Sequence, residues 1–233
     1  MDRKSFVGQL DILNIPYTDK QIDDLFLFMD DTLEANTKFN LTAIKDKSDF
    51  IEKMILDSLL AVLGIDLKNK KAIDVGTGAG FPGMVLKIIE PEVHMTLLDS
   101  TKKKIDHLKE LSNKYGYKIE GVNDRAEIFA KNNVEKFDYA FARAVSSLNV
   151  LCELIAPILK VGGIFVALKG PNVENEIKDS KKAFEILNLE IVKINKYILP
   201  ECLEERNIVL IRKNKPTPSK YPREYNQIKK RPL

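Results

Sequence analysis

The chain has no tryptophan, and only two cysteines and two histidines occur in its 233 residues. Cys152 and Cys202 lie far apart and make no metal-ligand spacing. A reduced, cytoplasmic chain is the simplest expectation from so little cysteine. Two histidines are too few for a histidine-based metal site, so no metal is expected. His94 opens a strand pattern and His107 lies in a helical one, and both read as structural or exposed. No apolar run reaches the length of a membrane span. Met1-Asp-Arg-Lys-Ser leads into mixed polar residues, unlike the apolar centre of a signal peptide. Internal repeats and low-complexity tracts are also missing.

What is present is ordinary for a globular protein: 44% hydrophobic and 30% charged residues. A chain this long buries a sizeable core in one domain, with room for an appendage. The net charge of +3 hides an asymmetry. Acids outnumber bases from Met1 to Ile65. From Arg212 to Leu233 eight bases face the single acid Glu224. Such a basic end points to a polyanionic partner.

The most informative stretch runs from Lys71 to Gly83. Ala72 to Val75 reads as a strand and ends in the alternating glycines Gly76, Gly78 and Gly80. A helical pattern begins near Pro82. Glycine permits a sharp turn and a close backbone approach to a ligand, and the N–H groups of a first helical turn favour polar or anionic groups. The spacing is D-x-G-x-G-x-G from Asp74. A dinucleotide fingerprint, G-x-G-x-x-G, would need its third glycine at Phe81. The observed pattern resembles the first motif of the Rossmann-like methyltransferases, which bind S-adenosylmethionine (SAM). A second acid, Asp99, ends the next apolar run and lies at the distance from which nucleotide-binding folds reach a ribose.

Before this stretch the pattern is helical. Phe6, Leu10 and Leu13 mark one face of a helix from Asp2 to Asn14. Thr18 and Gln21 form a capping box for a second helix carrying Ile22, Leu25, Phe26, Met29 and Leu33. Its acidic face, with Asp23, Asp24, Asp30, Asp31 and Glu34, reads as solvated. Phe39 to Ile44 reads as a loop packed on the body, and Ser48 as the cap of a third helix. From Lys71, strands near 71–75, 94–98, 117–122, 137–142, 163–168, 190–196 and 206–212 alternate with helices near 82–90, 101–115, 125–132, 147–160 and 173–187. That alternation predicts an α/β fold: a Rossmann-like methyltransferase architecture with a seven-stranded, mostly parallel sheet, helices on both faces and an N-terminal helical extension. The expected divisions are 1–66 for the helical segment, 67–213 for the SAM-binding domain and 214–233 for a basic tail.

Ligands of open α/β sheets lie beyond the carboxyl ends of the strands, and the fourth strand end speaks to chemistry. Enzymes that methylate exocyclic amines commonly carry Asp/Asn-Pro-Pro-aromatic there, whereas this chain has Ala142-Arg-Ala-Val145. Cytosine C5 methylation needs a thiolate, and Cys152 sits among apolar helical neighbours. Ribose 2′-oxygen methylation needs a base, for which Lys169 is available. Guanine N7 carries a free lone pair and needs alignment rather than a proton acceptor. Both of the last two readings stay open on the residues alone.

The chain resembles the bacterial small-subunit rRNA guanine-N7 methyltransferases, the RsmG or GidB family. The resemblance is carried, in order, by Phe39-Asn-Leu-Thr-Ala-Ile44, Leu56-Asp-Ser-Leu59, Asp74 to Gly83, Asp124-Arg-Ala-Glu127, Ala142-Arg-Ala-Val145, Leu168-Lys-Gly170 and Lys220-Tyr-Pro-Arg223. It implies SAM binding at Gly76, Phe81, Ala126, Glu127 and Arg143, and methylation of a guanine N7 in 16S rRNA. Gly78 and Asp99 join this cofactor set from the glycine turn and the ribose acid. Arg143 suits either the methionine carboxylate or rRNA phosphates. Lys169, Lys220 and Arg223 are the expected substrate contacts. Tyr221 and Tyr225, set among lysines, add base stacking to a basic tail. The family usually has histidine where this chain has Met54. The expected partner is 16S rRNA or the small ribosomal subunit, with no membrane involved and the enzyme a monomer. No catalytic residue is assigned. The alternatives are methylation of another RNA atom or of a small molecule.

Overall fold

The computed structural model describes residues 1–233, apart from the side chain of Phe39. Helix α1 (Arg3–Ile12) buries Phe6 and Leu10, and α2 (Asp19–Phe39) starts at the expected capping box of Thr18 and Gln21. The Gln21 amide also donates to the carbonyls of Ile88 and Ile89. The α2 core face includes Phe28, fully buried, while Phe26 is only half-buried. The acidic face is not wholly solvated, contrary to the sequence reading. Tyr117 donates to Asp24 at 2.6 Å, and Tyr115 donates to Asp31. Two tyrosines that need acceptors as they leave water explain why these acids turn inward.

Phe39 closes α2, and Asn40 follows it in the left-handed region. Asn36 brackets the next segment through both the N–H and the carbonyl of Thr42, each at 2.9 Å. A further helical run then begins at α3 (Lys47–Phe50), capped by Asp46 through the N–H of Asp49 rather than by Ser48. It continues without a break through a π-helical turn (Ile51–Leu56), α4 (Asp57–Leu59) and a 3-10 turn (Leu60–Val62).

The strands are β1 (Lys71–Val75), β2 (His94–Asp99), β3 (Glu120–Asn123), β4 (Phe137–Arg143), β5 (Leu159–Lys169), β6 (Leu189–Ile198) and β7 (Glu205–Lys213). They form one sheet in the order β3-β2-β1-β4-β5-β7-β6. All pairs are parallel except those of β7, which enters antiparallel between β5 and β6. Helices α5 (Gly83–Ile89), α6 (Lys102–Tyr115), α7 (Ala126–Asn132), α8 (Leu148–Ile155), α9 (Val173–Asp179) and α10 (Lys181–Leu187) connect the strands, and α11 (Tyr225–Lys230) ends the chain.

Alternate strand residues serve opposite cores, as the strand period of two requires. Ala72, Phe141, Val166 and Leu168 join the N-terminal helices, α5 and α6. Ile73, Val75, Ala140, Ala142, Phe165 and Ala167 face α8 and α10. The predicted helix over 147–160 stops early because Pro157 has no N–H to continue the ladder, although Ala156 before it keeps helical angles. Gly162-Gly163 lies inside β5 rather than before it, where the pairing with β4 shifts register. A Cβ on Gly163 would sit 2.9 Å from the carbonyl oxygen of Lys160. The predicted helix over 173–187 is two helices, divided at Ser180. The Ser180 hydroxyl donates to the Glu176 carbonyl at 2.6 Å, a back-bond that bends helices.

Candidate functional site

The order of strands reverses between β1 and β4, and the crevice beyond their carboxyl ends holds the site. The glycine turn leaves β1 with Gly76, Gly78 and Gly80 all at positive φ. Gly76 is obligatory twice over: its φ is +74°, and a Cβ would stand 2.7 Å from Val145 Cγ2. At Gly78 nothing but the Gly76 carbonyl, 3.9 Å away, would meet a Cβ, which would project into the crevice. The amide of Gly76 donates to the Leu98 carbonyl at 2.8 Å, tying the turn to β2.

Two acids hold this turn. Asp74 is completely buried and accepts from the Gly83 N–H at 2.8 Å. Burial pushes its carboxyl up to about 6, against the pull of the Thr77 hydroxyl and the Gly83 amide. Through the Gly83 N–H it ties the end of the turn and the start of α5 to β1. Asp99 accepts from the Gly78 N–H at 3.0 Å and from the Thr101 N–H at 2.8 Å. Each of its oxygens keeps a free lone pair, which suits a vicinal diol.

A cavity of about 540 Å³ opens over the turn. All seven residues expected around a cofactor line it: Gly76, Gly78, Phe81, Asp99, Ala126, Glu127 and Arg143. Phe81 stacks on Phe28 with centroids 5.0 Å apart, meets Phe50 edge-on, and carries the Arg143 guanidinium over its ring at 5.6 Å. Glu127 is buried and takes the Arg125 Nε–H at 2.6 Å. Arg125 in turn lies over the ring of Tyr225 at 5.0 Å.

A second cavity, of about 870 Å³, adjoins the first. Met54, Arg143, Ala144 and Val145 line both. Ala144 has φ +54°, a left-handed backbone rare for alanine and found where surroundings enforce it. Arg143 Nη1 donates to the Lys53 carbonyl at 3.0 Å and to Asp57 at 3.2 Å, while Nη2 donates to the Met54 sulfur at 3.0 Å. A π-helical turn supplies Lys53 and Met54, a local widening that recurs at functional sites, and α4 directly after it supplies Asp57. Asp57 is buried, and desolvation pushes its carboxyl up against the pull of Arg143 and Arg206. Lys169 lines this second cavity, but its ammonium is committed to Glu176 at 2.8 Å and the Ser146 carbonyl at 2.9 Å.

The C-terminal segment, expected as a basic tail in contact with RNA, packs against the domain through α11. Ile228 is fully buried against Val150 and Leu154. Arg223, expected on substrate, instead forks onto the fully buried Glu153, at 2.8 Å from Nε and 2.6 Å from Nη2. The backbone N–H of Arg223 adds a third bond to the same carboxylate. An acid inside apolar α8 leaves water only with such a partner. Lys220 is exposed, its ammonium over the ring of Tyr221 and outside both cavities. Cys152 is fully buried and its thiol is pushed up by desolvation, as a packed core thiol should be.

Sequence reasoning missed Leu41, Thr42, Met54 and Tyr225 as walls of the first cavity and Asp57 and Arg206 as walls of the second. For Asp57 a signal existed: an acid inside the apolar run Met54-Ile-Leu-Asp-Ser-Leu-Leu. For Tyr225 none did, because only folding back of the terminus brings it there.

Comparisons with known proteins agree with this architecture. The chain matches the family described as GidB, rRNA small subunit methyltransferase G, over residues 21–209. It is 45% identical to Ribosomal RNA small subunit methyltransferase G of Alkaliphilus oremlandii, covering 95% of this chain and 94% of that protein. It is 46% identical to the protein of that name from Caldicellulosiruptor bescii, covering 90% and 91%. Among solved structures, the fold is shared with a SAM-dependent methyltransferase of Aquifex aeolicus, with TM-score 0.52, 18% identity and 74% and 96% coverage. It is shared too with TYW2 of M. jannaschii, solved in complex with AdoMet, with TM-score 0.55, 12% identity and 73% and 79% coverage. The chain therefore belongs to the rRNA small subunit methyltransferase G family.

Proposed function

We propose that this SAM-dependent methyltransferase modifies N7 of a guanine in the 16S rRNA of the small ribosomal subunit, working as a cytoplasmic monomer. The observation that carries the reading is the wall shared by the two cavities, because methyl transfer needs donor and acceptor held on either side of one short gap. The residues of the first cavity fit SAM. Asp99 has lone pairs for the ribose hydroxyls, and the open Cβ position at Gly78 leaves room for a ligand against the backbone. Ala126, Glu127 and Tyr225 line the part of the cavity suited to the adenine, and Arg143 the end facing the second cavity. When bound, SAM supplies an electrophilic sulfonium methyl.

The second cavity suits the acceptor. Its lining carries the cations Lys53, Arg143, Lys169 and Arg206, which favour an RNA backbone. Arg143, Lys169 and Arg206 are each ion-paired with an acid, so the site offers positioning rather than a free base. Guanine N7 needs no base. The ribose reading needs one, and Lys169 is held instead as an ion-paired donor.

The test is methyl transfer from labelled SAM to small-subunit rRNA from cells lacking the enzyme, offered naked and as assembled subunits. N7-methylguanine permits chain scission. A single scission site, lost with Arg143→Ala, is expected. Labelled RNA that resists scission would place the methyl on another atom.

A further inference from the structure

We infer that the isopropyl group of Val145 is the platform on which the target guanine lies for methyl transfer. The inference deepens the guanine-N7 reading and rests on it. A base modified within a folded RNA leaves its stack, and the pocket that receives it offers aromatic or apolar surface to its faces. Among the described residues, no aromatic side chain lines the second cavity. Its apolar lining is Ile44, Met54, Ala144, Val145 and Leu168. Met54 and Leu168 are buried, Ile44 is half-buried, and Ala144 offers only a methyl group. Val145 is 43% exposed. Of the exposed large hydrophobic side chains, it is the only one among the described residues that lines either cavity.

Val145 also stands at the right border. Both of its γ-methyls lie against Gly76, where a Cβ would meet them at 2.7 and 3.1 Å. Gly76 belongs to the glycine turn under the cofactor cavity, so a base resting on Val145 lies beside that cavity. The left-handed backbone of Ala144, φ +54°, parts two neighbours with different tasks. Arg143 before it reaches Lys53, Met54 and Asp57, and Val145 after it covers Gly76. A β-branched side chain is stiff at χ1, which suits a fixed surface.

The reaction explains why a platform matters. The N7 lone pair lies in the plane of the purine, so the methyl must arrive within that plane. As the N7–carbon bond forms, the carbon–sulfur bond breaks, its electron pair stays on sulfur, and no proton moves. With no acid or base to place, the barrier depends on the tilt of the ring against the sulfur–carbon axis. Val145 holds that tilt through the face of the base.

The experiment measures methyl transfer from saturating labelled SAM to small subunits from cells lacking the enzyme. Val145→Ala should lower the rate at saturating subunits about 10- to 100-fold, because the base is held but misaligned. KM should change little, since phosphate contacts carry RNA affinity. Melting temperature and calorimetric SAM affinity should stay near wild type. Val145→Ile should keep the rate within about fourfold, the worth of one methylene group. The chain has no tryptophan, so Val145→Trp carries its only indole. With S-adenosylhomocysteine bound, emission of that variant should fall when subunits are added. It should not fall with subunits rebuilt to be abasic at the nucleotide that the enzyme labels. A wild-type rate in Val145→Ala would overturn the inference, as would equal emission with both kinds of subunit. A rate loss matched by weaker SAM binding would make Val145 a wall of the cofactor cavity only and overturn it too. Wild-type label that resists scission would instead defeat the guanine-N7 reading, and the inference with it.

Discussion

Arg143 donates a hydrogen bond from Nη2 to the sulfur of Met54 at 3.0 Å. The thioether thus serves Arg143 as a weak acceptor, at the position where the resemblance implies a histidine. Met54→Leu conserves volume and should cost under about 1.5 kcal/mol of stability, yet it loosens Arg143. Met54→His should keep full activity. A several-fold fall in methyl transfer for leucine and none for histidine is expected; equal rates for all three would remove Met54 from the site.

Arg143 anchors more than the sulfur. Arg143→Ala leaves Asp57 buried with Arg206 as its remaining counterion. Removing one partner of a buried pair typically costs about 3–5 kcal/mol. Thermal melting should fall accordingly, and methyl transfer should drop by more than about 100-fold. A melting temperature within a degree or so of wild type would show the ion pair to be inert.

Arg223 is expected to matter for the fold and, through Tyr225, for the cofactor. Arg223→Ala strands Glu153, which is completely buried. Denaturation should show a loss of about 3 kcal/mol or more, with weaker SAM binding by calorimetry because α11 carries a wall of the first cavity. Weakened RNA binding with stability and SAM affinity intact would restore Arg223 to the substrate.

Gly78 and Gly76 separate ligand space from fold. Gly78→Ala adds a methyl group to the first cavity and should weaken SAM binding about 10-fold or more, with modest loss of stability from its φ of +58°. Gly76→Val collides with Val145 and should cost stability as well. Unchanged SAM affinity in Gly78→Ala would place the cofactor elsewhere.

Asp74 predicts a pH dependence. Its carboxyl is raised from 3.8 to about 6 in the folded chain, so the folded state holds a proton that the unfolded state releases. This group's contribution therefore falls as pH rises from about 4 to about 6, by about 3 kcal/mol, and is flat above. Asp74→Asn should remove that slope. Urea denaturation of both proteins from pH 4 to pH 8 gives the difference; parallel curves would show Asp74 at its ordinary value.

The sequence by itself determined the sheet and the floor of the site. Strand period, glycine spacing and the acids at strand ends are local, and the backbone at Gly76, Gly78 and Asp99 follows from them. What only the tertiary structure decided is where long-range partners meet. Asp24 and Asp31 turned inward because tyrosines of a distant loop and helix needed acceptors. Ser180 divided a helix whose hydrophobic pattern runs through it. Arg223 was drawn onto Glu153, far back in the chain, because that acid had to be neutralised on burial. The basic terminus then folded back and carried Tyr225 to the first cavity. Periodicity records which residues leave water; the partner each charge finds there depends on how the layers stack.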